Sequence, residues 1–291
     1  MLESVTHVDI DHLRSWIGRK EESEDVISRK PASVLAATLD HERLPQNGDL
    51  LGPLWHWVYF TPLCRQSELG VDGHPRLGGF LPQIPLPRRM WAGGRLTVRG
   101  PVRVGERVTR TTEIADITHK VGRQGQLVFL TLRHAINTPD GVAIEEEQDI
   151  VYREPRQVKQ SVPQKASADE TTVQRVLWRD PMLADSVLLM RYSALTFNAH
   201  RIHYDLAYAQ EEEGYPGLVV HGPLIATLLA DRLAKHAPGR LRTFSFRGLK
   251  PLYAGEVFHL CGRREDNGMY VLWAETLDGS AAMTALATIE E

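Results

Sequence analysis

The sequence predicts an α+β protein made of two similar halves, each a helix followed by antiparallel strands. Three observations predict it. Arg99-Gly-Pro-Val-Arg-Val-Gly-Glu106 lines up with Arg247-Gly-Leu-Lys-Pro-Leu-Tyr-Ala-Gly-Glu256, allowing two extra residues. Both segments lead into the same series of strand, Gly-containing turn, strand, turn ending in Asp-Gly, and strand, which reads as an internal repeat. Between the halves, residues 154–175 lose all aromatics and gain Gln, Ser, Lys and Pro, a linker composition. Residues 1–155 and 176–291 are then two domains, joined by a linker at 156–175.

The elements follow in order. Val8–Lys20 places Ile10, Leu13, Trp16 and Ile17 on one helical face. The acidic run Glu21–Asp25 reads as solvated. Pro31–Leu39 is a second helix, with Pro tolerated in the first turn and Ala and Leu favouring the rest. Leu54-Trp-His-Trp-Val-Tyr-Phe60 is a strand by propensity, with Trp55 and Trp57 on a core face and His56 opposite. Cys64–Arg89 is crowded with Gly and Pro and shows no period. Its Leu69, Leu77, Phe80, Leu81 and Ile84 argue for an ordered loop packed on the body.

Strands are expected at Arg95–Arg99, Arg107–Ile117, Leu127–Ile136 and Val142–Arg153, with Pro139-Asp-Gly141 as a hairpin turn. In the second half, Val187–Tyr192 is apolar and enters a polar turn. Gly222-Pro223 starts an apolar helix ending near Ala237-Pro-Gly239, with Asp231 and Arg232 facing outward. Strands follow at Arg242–Arg247, Val257–Arg263, Tyr270–Thr276 and Ala281–Thr288, with Leu277-Asp-Gly279 as a second hairpin turn. The Glu145–Glu147 and Glu211–Glu213 runs read as solvated faces.

Composition excludes several classes. The 34 Lys and Arg against 37 Asp and Glu leave a net charge of −3, so no basic surface supports nucleic-acid binding. The longest apolar stretch, Gly214–Ala230, is broken by Pro216 and Pro223 and is too short for a membrane span of ~20 residues. Two cysteines suit a reducing compartment and cannot form a four-Cys zinc site. The acidic N-terminal residues lack an apolar signal core, so a cytoplasmic protein is expected.

The densest polar constellation is Tyr192-Ser-Ala-Leu-Thr-Phe-Asn-Ala-His-Arg-Ile-His-Tyr-Asp205, followed by His221-Gly222-Pro223 at the start of the apolar helix. This resembles the MaoC-like, or hydratase-2, family of enoyl-thioester hydratases. That family carries Asp, any residue, then Asn-Pro-(Ile/Leu)-His, and a later His-Gly opening a central helix. His203 falls on the family's catalytic His. The family's Asp is Asn198 here, its Asn is His200 and its Pro is Arg201. The departures resemble a subgroup containing fungal type 2 hydroxyacyl-thioester dehydratases and bacterial mesaconyl-C4-CoA and itaconyl-CoA hydratases. Leu54–Phe60, Leu69-Gly-Val-Asp-Gly-His-Pro75, Gly78-Gly-Phe80 and Leu86-Pro-Arg-Arg-Met-Trp-Ala-Gly-Gly94 agree with that subgroup. The resemblance implies a double hot-dog fold and a homodimer. It implies hydration of an acyl-CoA thioester that needs no redox cofactor and no metal. A non-catalytic acyl-CoA-binding or thioesterase-like protein and a dehydratase acting on acyl carrier protein are the competing readings.

Hydration across a double bond conjugated to a thioester needs a base for water, a proton for the α-carbon, and donors for the thioester oxygen. His203 can trade protons in both directions. Gly222 and Leu224 can supply N–H donors at the helix start, since Pro223 has none. Asn198 cannot act as a base, though it can hold water. Either His203 works alone with Asn198 orienting the water, or another acid, Asp205 or one from the first half, replaces the family Asp. Arg88 and Arg89 read either as an exposed basic turn or as ligands for anionic substrate groups. Arg201 is expected near the site, where a free acyl carboxylate would be its partner. Tyr192 and Trp91 are expected beside substrate. His221 is expected to flank the helix start without transferring protons. A metal on His200, His203 and Asp205 is the lesser alternative.

Overall fold

Ten strands form one antiparallel sheet in the computed structural model, which describes residues 7–122, 125–154 and 176–290. The strands are β1 (Lys20–Val26), β2 (Arg88–Val98), β3 (Arg107–Gly122), β4 (Gly125–Thr138), β5 (Gly141–Arg153), β6 (Trp178–Leu183), β7 (Arg240–Gly248), β8 (Val257–Arg264), β9 (Tyr270–Thr276) and β10 (Ala281–Glu290). The helices are α1 (Ile10–Arg14), α2 (Arg29–Thr38), α3 (Ser186–Thr196) and α4 (Gly222–His236).

Across the sheet the order is β1-β3-β4-β5-β2-β7-β10-β9-β8-β6. Read from each edge to the centre, the five strands of each half follow one arrangement: β1-β3-β4-β5-β2 matches β6-β8-β9-β10-β7 position for position. The repeat seen in the turns is therefore a repeat of topology, and the fold is an α+β double hot-dog. The proposed linker at 156–175 lies outside the described residues.

The halves join where β2 pairs with β7. Gly93 sits on that seam, and a Cβ there would lie 2.5 Å from the Phe246 carbonyl oxygen. Only glycine allows the two backbones this approach. Against the concave side runs α4, in contact with β7–β10 and with β2. Its buried residues run without a break from Leu224 to Asp231, as a helix apolar on nearly all sides requires. In the first half, among the described residues, the helix preceding β2 in the core is the ten-residue α2, which lies against α3 and whose Ala32, Leu35 and Ala36 join Leu54, Trp55 and Val58 there. The long loop packs on the body as expected, with Ile84, Leu86, Leu77, Phe80 and Leu81 against Ile114, Ile117 and Leu130 of β3 and β4.

Local expectations fail where tertiary partners override propensity. The first helix is only Ile10–Arg14, and the acidic run after it is β1, paired with β3 from Lys20↔Glu113 to Val26↔Arg107. An edge strand can carry charges because much of it stays in water. Leu54–Phe60 is no strand but a 3-10 turn at Trp55–Val58, bounded by left-handed residues Leu54 (φ 63°) and Phe60 (φ 54°). The apolar stretch Val187–Tyr192 is α3, which runs on to Thr196 before the chain turns and is capped by the Asp185 carboxylate accepting from the Leu188 N–H. Asp231 does not face outward: it is buried, paired with His41 and with Lys235 at 3.1 Å. No described helix is long and apolar enough to cross a membrane.

Candidate active site

The motif segment lies between α3 and α4. Asp185 starts α3 and Phe197, left-handed at φ 50°, ends it. The chain then turns through Asn198 and a 3-10 turn, Arg201–His203. Ile202, Tyr208, Ala209 and Val219 form a small apolar cluster that holds this segment down. The loop of the first half docks against it: the Arg201 N–H donates to the Asp72 carbonyl at 2.9 Å.

His203 is buried. Its Nδ1 donates to the Val219 carbonyl at 2.7 Å, so Nδ1 carries the proton and Nε2 carries the lone pair. Burial pulls its pKa down to about 4, against the opposing effect of the Val219 bond. It is therefore a neutral base at neutral pH. His221, at the N-cap of α4, stacks on it with ring centroids 3.6 Å apart. The His221 Nε2 shares a 2.8 Å hydrogen bond with the Ser193 hydroxyl, and its fully buried Nδ1 has no partner. Burial, with the neighbouring His203 and His200, holds His221 well below the usual imidazole range. Its predicted flanking place is the observed one.

Asn198 Oδ1 accepts the His200 N–H at 3.0 Å, which leaves its NH2 group free to donate. Gly222 opens α4, and a Cβ there would meet nothing nearer than 3.8 Å, so the helix start is approachable. Asn198, Trp91, Tyr192 and Pro223 line one cavity of about 230 Å³. The Tyr192 hydroxyl is fully buried. A larger apolar cavity of about 290 Å³ lies beside the far end of α4, and His56 is on the wall of both.

The arginines chosen from sequence are largely occupied. Arg88 is not an exposed basic turn: it pairs with Glu213 at 3.1 Å, both side chains mostly buried, and donates to the Glu212 carbonyl. Arg201 pairs with Asp205 at 2.7 Å, donates to the Val71 carbonyl and lies over the Tyr208 ring. Asp205 is thereby unavailable as the missing general base. Arg89 sits near Asp72, His74 and Tyr152; its charge lowers Asp72 and His74 and opposes the upward push of burial on the Tyr152 hydroxyl.

Sequence reasoning missed two groups. The first is Asp72 and His74, joined by a 2.9 Å bond, with the His74 ring 4.3 Å from that of His200. Burial would raise the Asp72 carboxyl, but His74 and Arg89 bring it down to about 2. Desolvation, with His74 and His203 nearby, takes His200 to about 2 as well. The ligand atoms of Asp72, His74 and His200 lie within 4.8 Å of one another, so these three, and not His200 with His203 and Asp205, are the set that could hold a metal ion. The second is Glu146, the middle of a run read as solvated. It is buried, accepting from His56 at 2.8 Å and from the Trp57 indole N–H at 2.9 Å. Strand alternation was the signal: in β5 Glu145 is exposed and Glu146 points inward.

A buried neutral imidazole thus lies beside the start of α4 on a double hot-dog scaffold. The chain belongs to the hydroxyacyl-thioester dehydratase type 2 family, whose pattern matches residues 54–254. It is 47% identical over 274 residues to the mesaconyl-C(4)-CoA hydratase of Chloroflexus aurantiacus, covering 93% of this chain and 95% of that protein. It is 24% identical over 272 residues to the mitochondrial hydroxyacyl-thioester dehydratase type 2 of Schizosaccharomyces pombe, covering 82% and 88%. Among solved structures, a MaoC-like dehydratase superposes with a TM-score of 0.71 at 14% identity, covering 95% of this chain and 99% of that one. HtdX of Mycobacterium tuberculosis gives 0.65 at 17% identity, covering 94% and 100%. A second Mycobacterium tuberculosis protein, described as a double hot-dog fold, gives 0.59 at 13%, covering 96% of each chain. These structural likenesses show the fold.

Proposed function

We propose that the protein reversibly hydrates a short branched dicarboxylyl-CoA thioester, mesaconyl-C4-CoA or itaconyl-CoA, to citramalyl-CoA. The observation that carries this reading is the 47% identity to a mesaconyl-C(4)-CoA hydratase along nearly the whole of both chains. The cavity supports it: Asn198 shares its lining with Arg110, His134 and Gln148, polar groups suited to a charged acyl group, and the Glu146 carboxylate on the same lining is bonded to His56 and Trp57.

In the hydration of mesaconyl-C4-CoA, whose double bond is conjugated to the thioester, water held by the Asn198 NH2 gives a proton to His203 Nε2 as its oxygen bonds to the β-carbon. The electron pair of the double bond moves toward the thioester, and its oxygen takes hydrogen bonds from the N–H groups of Gly222 and Leu224. The imidazolium then returns its proton to the α-carbon, so the base ends as it began. Proton transfer and hydrogen bonding account for every step, and neither a metal nor a redox cofactor enters the scheme. A cytoplasmic homodimer belongs to the same reading.

Loss of enoyl absorbance with crotonyl- and mesaconyl-C4-CoA, set beside citramalyl-CoA formed from itaconyl-CoA, whose double bond is not conjugated to the thioester, tests it. Turnover fastest with mesaconyl-C4- or itaconyl-CoA is the expected result. Preference for crotonyl- or longer enoyl thioesters would favour the fatty-acyl dehydratase reading, for which the apolar cavity beyond His56 offers room. Release of free thiol would instead reveal a thioesterase.

A further inference from the structure

Arg110 stands out among the arginines near the motif. It lies on β3 and faces the cavity that Asn198 lines. Its Nε is buried and has no hydrogen-bond partner, and its guanidinium carbon lies 4.8 Å from the centroid of the Phe60 ring. Among the described residues it forms no ion pair. Arg88 and Arg232 also have an unpartnered buried nitrogen, but each faces a carboxylate, Glu213 at 3.1 Å and Asp180 at 3.6 Å.

Two of the three acids around Arg110 are committed elsewhere. Glu146 spends one oxygen on His56 and the other on Trp57. Asp25 accepts the Phe60 and Val26 N–H groups. Glu146, Glu21 and Asp25 act on Arg110 only through their fields, while burial opposes its charge. A desolvated guanidinium with a free donor is costly unless an anion completes it. Arg presents parallel donors that fit a carboxylate.

We propose that Arg110 binds the free carboxylate of the acyl group and so sets the preference for dicarboxylyl over plain enoyl thioesters. This rests on the dicarboxylyl-CoA reading and moves the role expected of Arg201 across to the first half of the chain. His134, whose Nδ1 and Nε2 bond Thr112 at 2.9 Å and Gln148 at 3.2 Å, lines the same wall and keeps the region polar without adding a competing anion.

The test is the ratio of kcat/KM for mesaconyl-C4-CoA to that for crotonyl-CoA in the wild type, Arg110→Met and Arg110→Lys, with thermal melting of each. A charged hydrogen bond contributes about 1.5–3 kcal/mol, which is a fold-change of roughly ten to a hundred. The ratio is expected to fall at least tenfold in Arg110→Met, mainly through KM for the dicarboxylyl substrate, and by less in Arg110→Lys. An unchanged ratio in a normally melting Arg110→Met protein overturns the assignment while leaving the function intact. If Arg110→Met does not fold, an unchanged KM in Arg110→Lys overturns it. A wild type that hydrates crotonyl-CoA but neither dicarboxylyl thioester overturns the functional reading, and the assignment with it.

Discussion

Gly73 couples the two halves at the candidate site, and Gly73→Ala tests how tightly. Its φ is +88°, and a Cβ would fall 1.8 Å from the Ala199 carbonyl oxygen, inside the motif segment. A left-handed Ala costs about 1–2 kcal/mol. The clash adds to that, because moving from 1.8 Å to an ordinary contact near 3.4 Å needs the two backbones to part by about 1.6 Å. The loop and the motif are tied by the bond from the Arg201 N–H to the Asp72 carbonyl and by the His74–His200 ring contact, so both move together. A misplacement of about 1 Å can cost on the order of 100-fold in rate. Thermal melting should show a loss of roughly 2–8 °C, while hydration of the preferred thioester should fall by at least tenfold. An Ala variant with wild-type melting and wild-type kcat/KM would refute the interlock between the loop and the motif.

Other perturbations have distinct outcomes. His203→Ala should lower kcat by at least about 100-fold, the usual reach of acid–base catalysis, whereas Asn198→Asp should leave hydration largely intact, both read by enoyl absorbance; full activity of His203→Ala would remove its role as base. Gly222→Ala should leave the melting temperature near that of the wild type, since its Cβ meets nothing nearer than 3.8 Å, but should lower kcat by crowding the helix start. Glu146→Ala strands the buried His56 and should cost about 3–5 kcal/mol in urea unfolding. Stability should fall on acidification. His203 binds its proton with a pKa of about 4 when folded and near 6.5 when unfolded, so the unfolded chain holds more protons throughout that window. Stability is therefore full above about pH 6.5 and declines as pH drops toward about 4, by about 2 kcal/mol from this one group at pH 5. An unfolding midpoint unchanged between pH 7 and pH 5 would contradict the buried neutral state.

The sequence by itself determined whatever is local in the chain or repeated along it. Asp-Gly turns, alternating strands and the Gly222-Pro223 helix start are read from neighbours a few residues apart. Two copies of one strand series lead to the observed pair of matching strand orders. The motif from Asn198 to His203 was likewise legible, because its residues are contiguous and their chemistry is distinctive. Tertiary structure alone decided the contacts between the halves. Asp72 and His74 reach His200 across more than a hundred residues of chain. Glu146 becomes a buried acid only because Trp55–Val58 coils into a turn that carries His56 and Trp57 to it. Arg110 looks like any charge on a strand edge until α3 and the Phe60 segment close over it. Desolvation and pairing are properties of the assembled neighbourhood, so no local pattern announces which arginine is closed by a carboxylate and which is left open to a ligand.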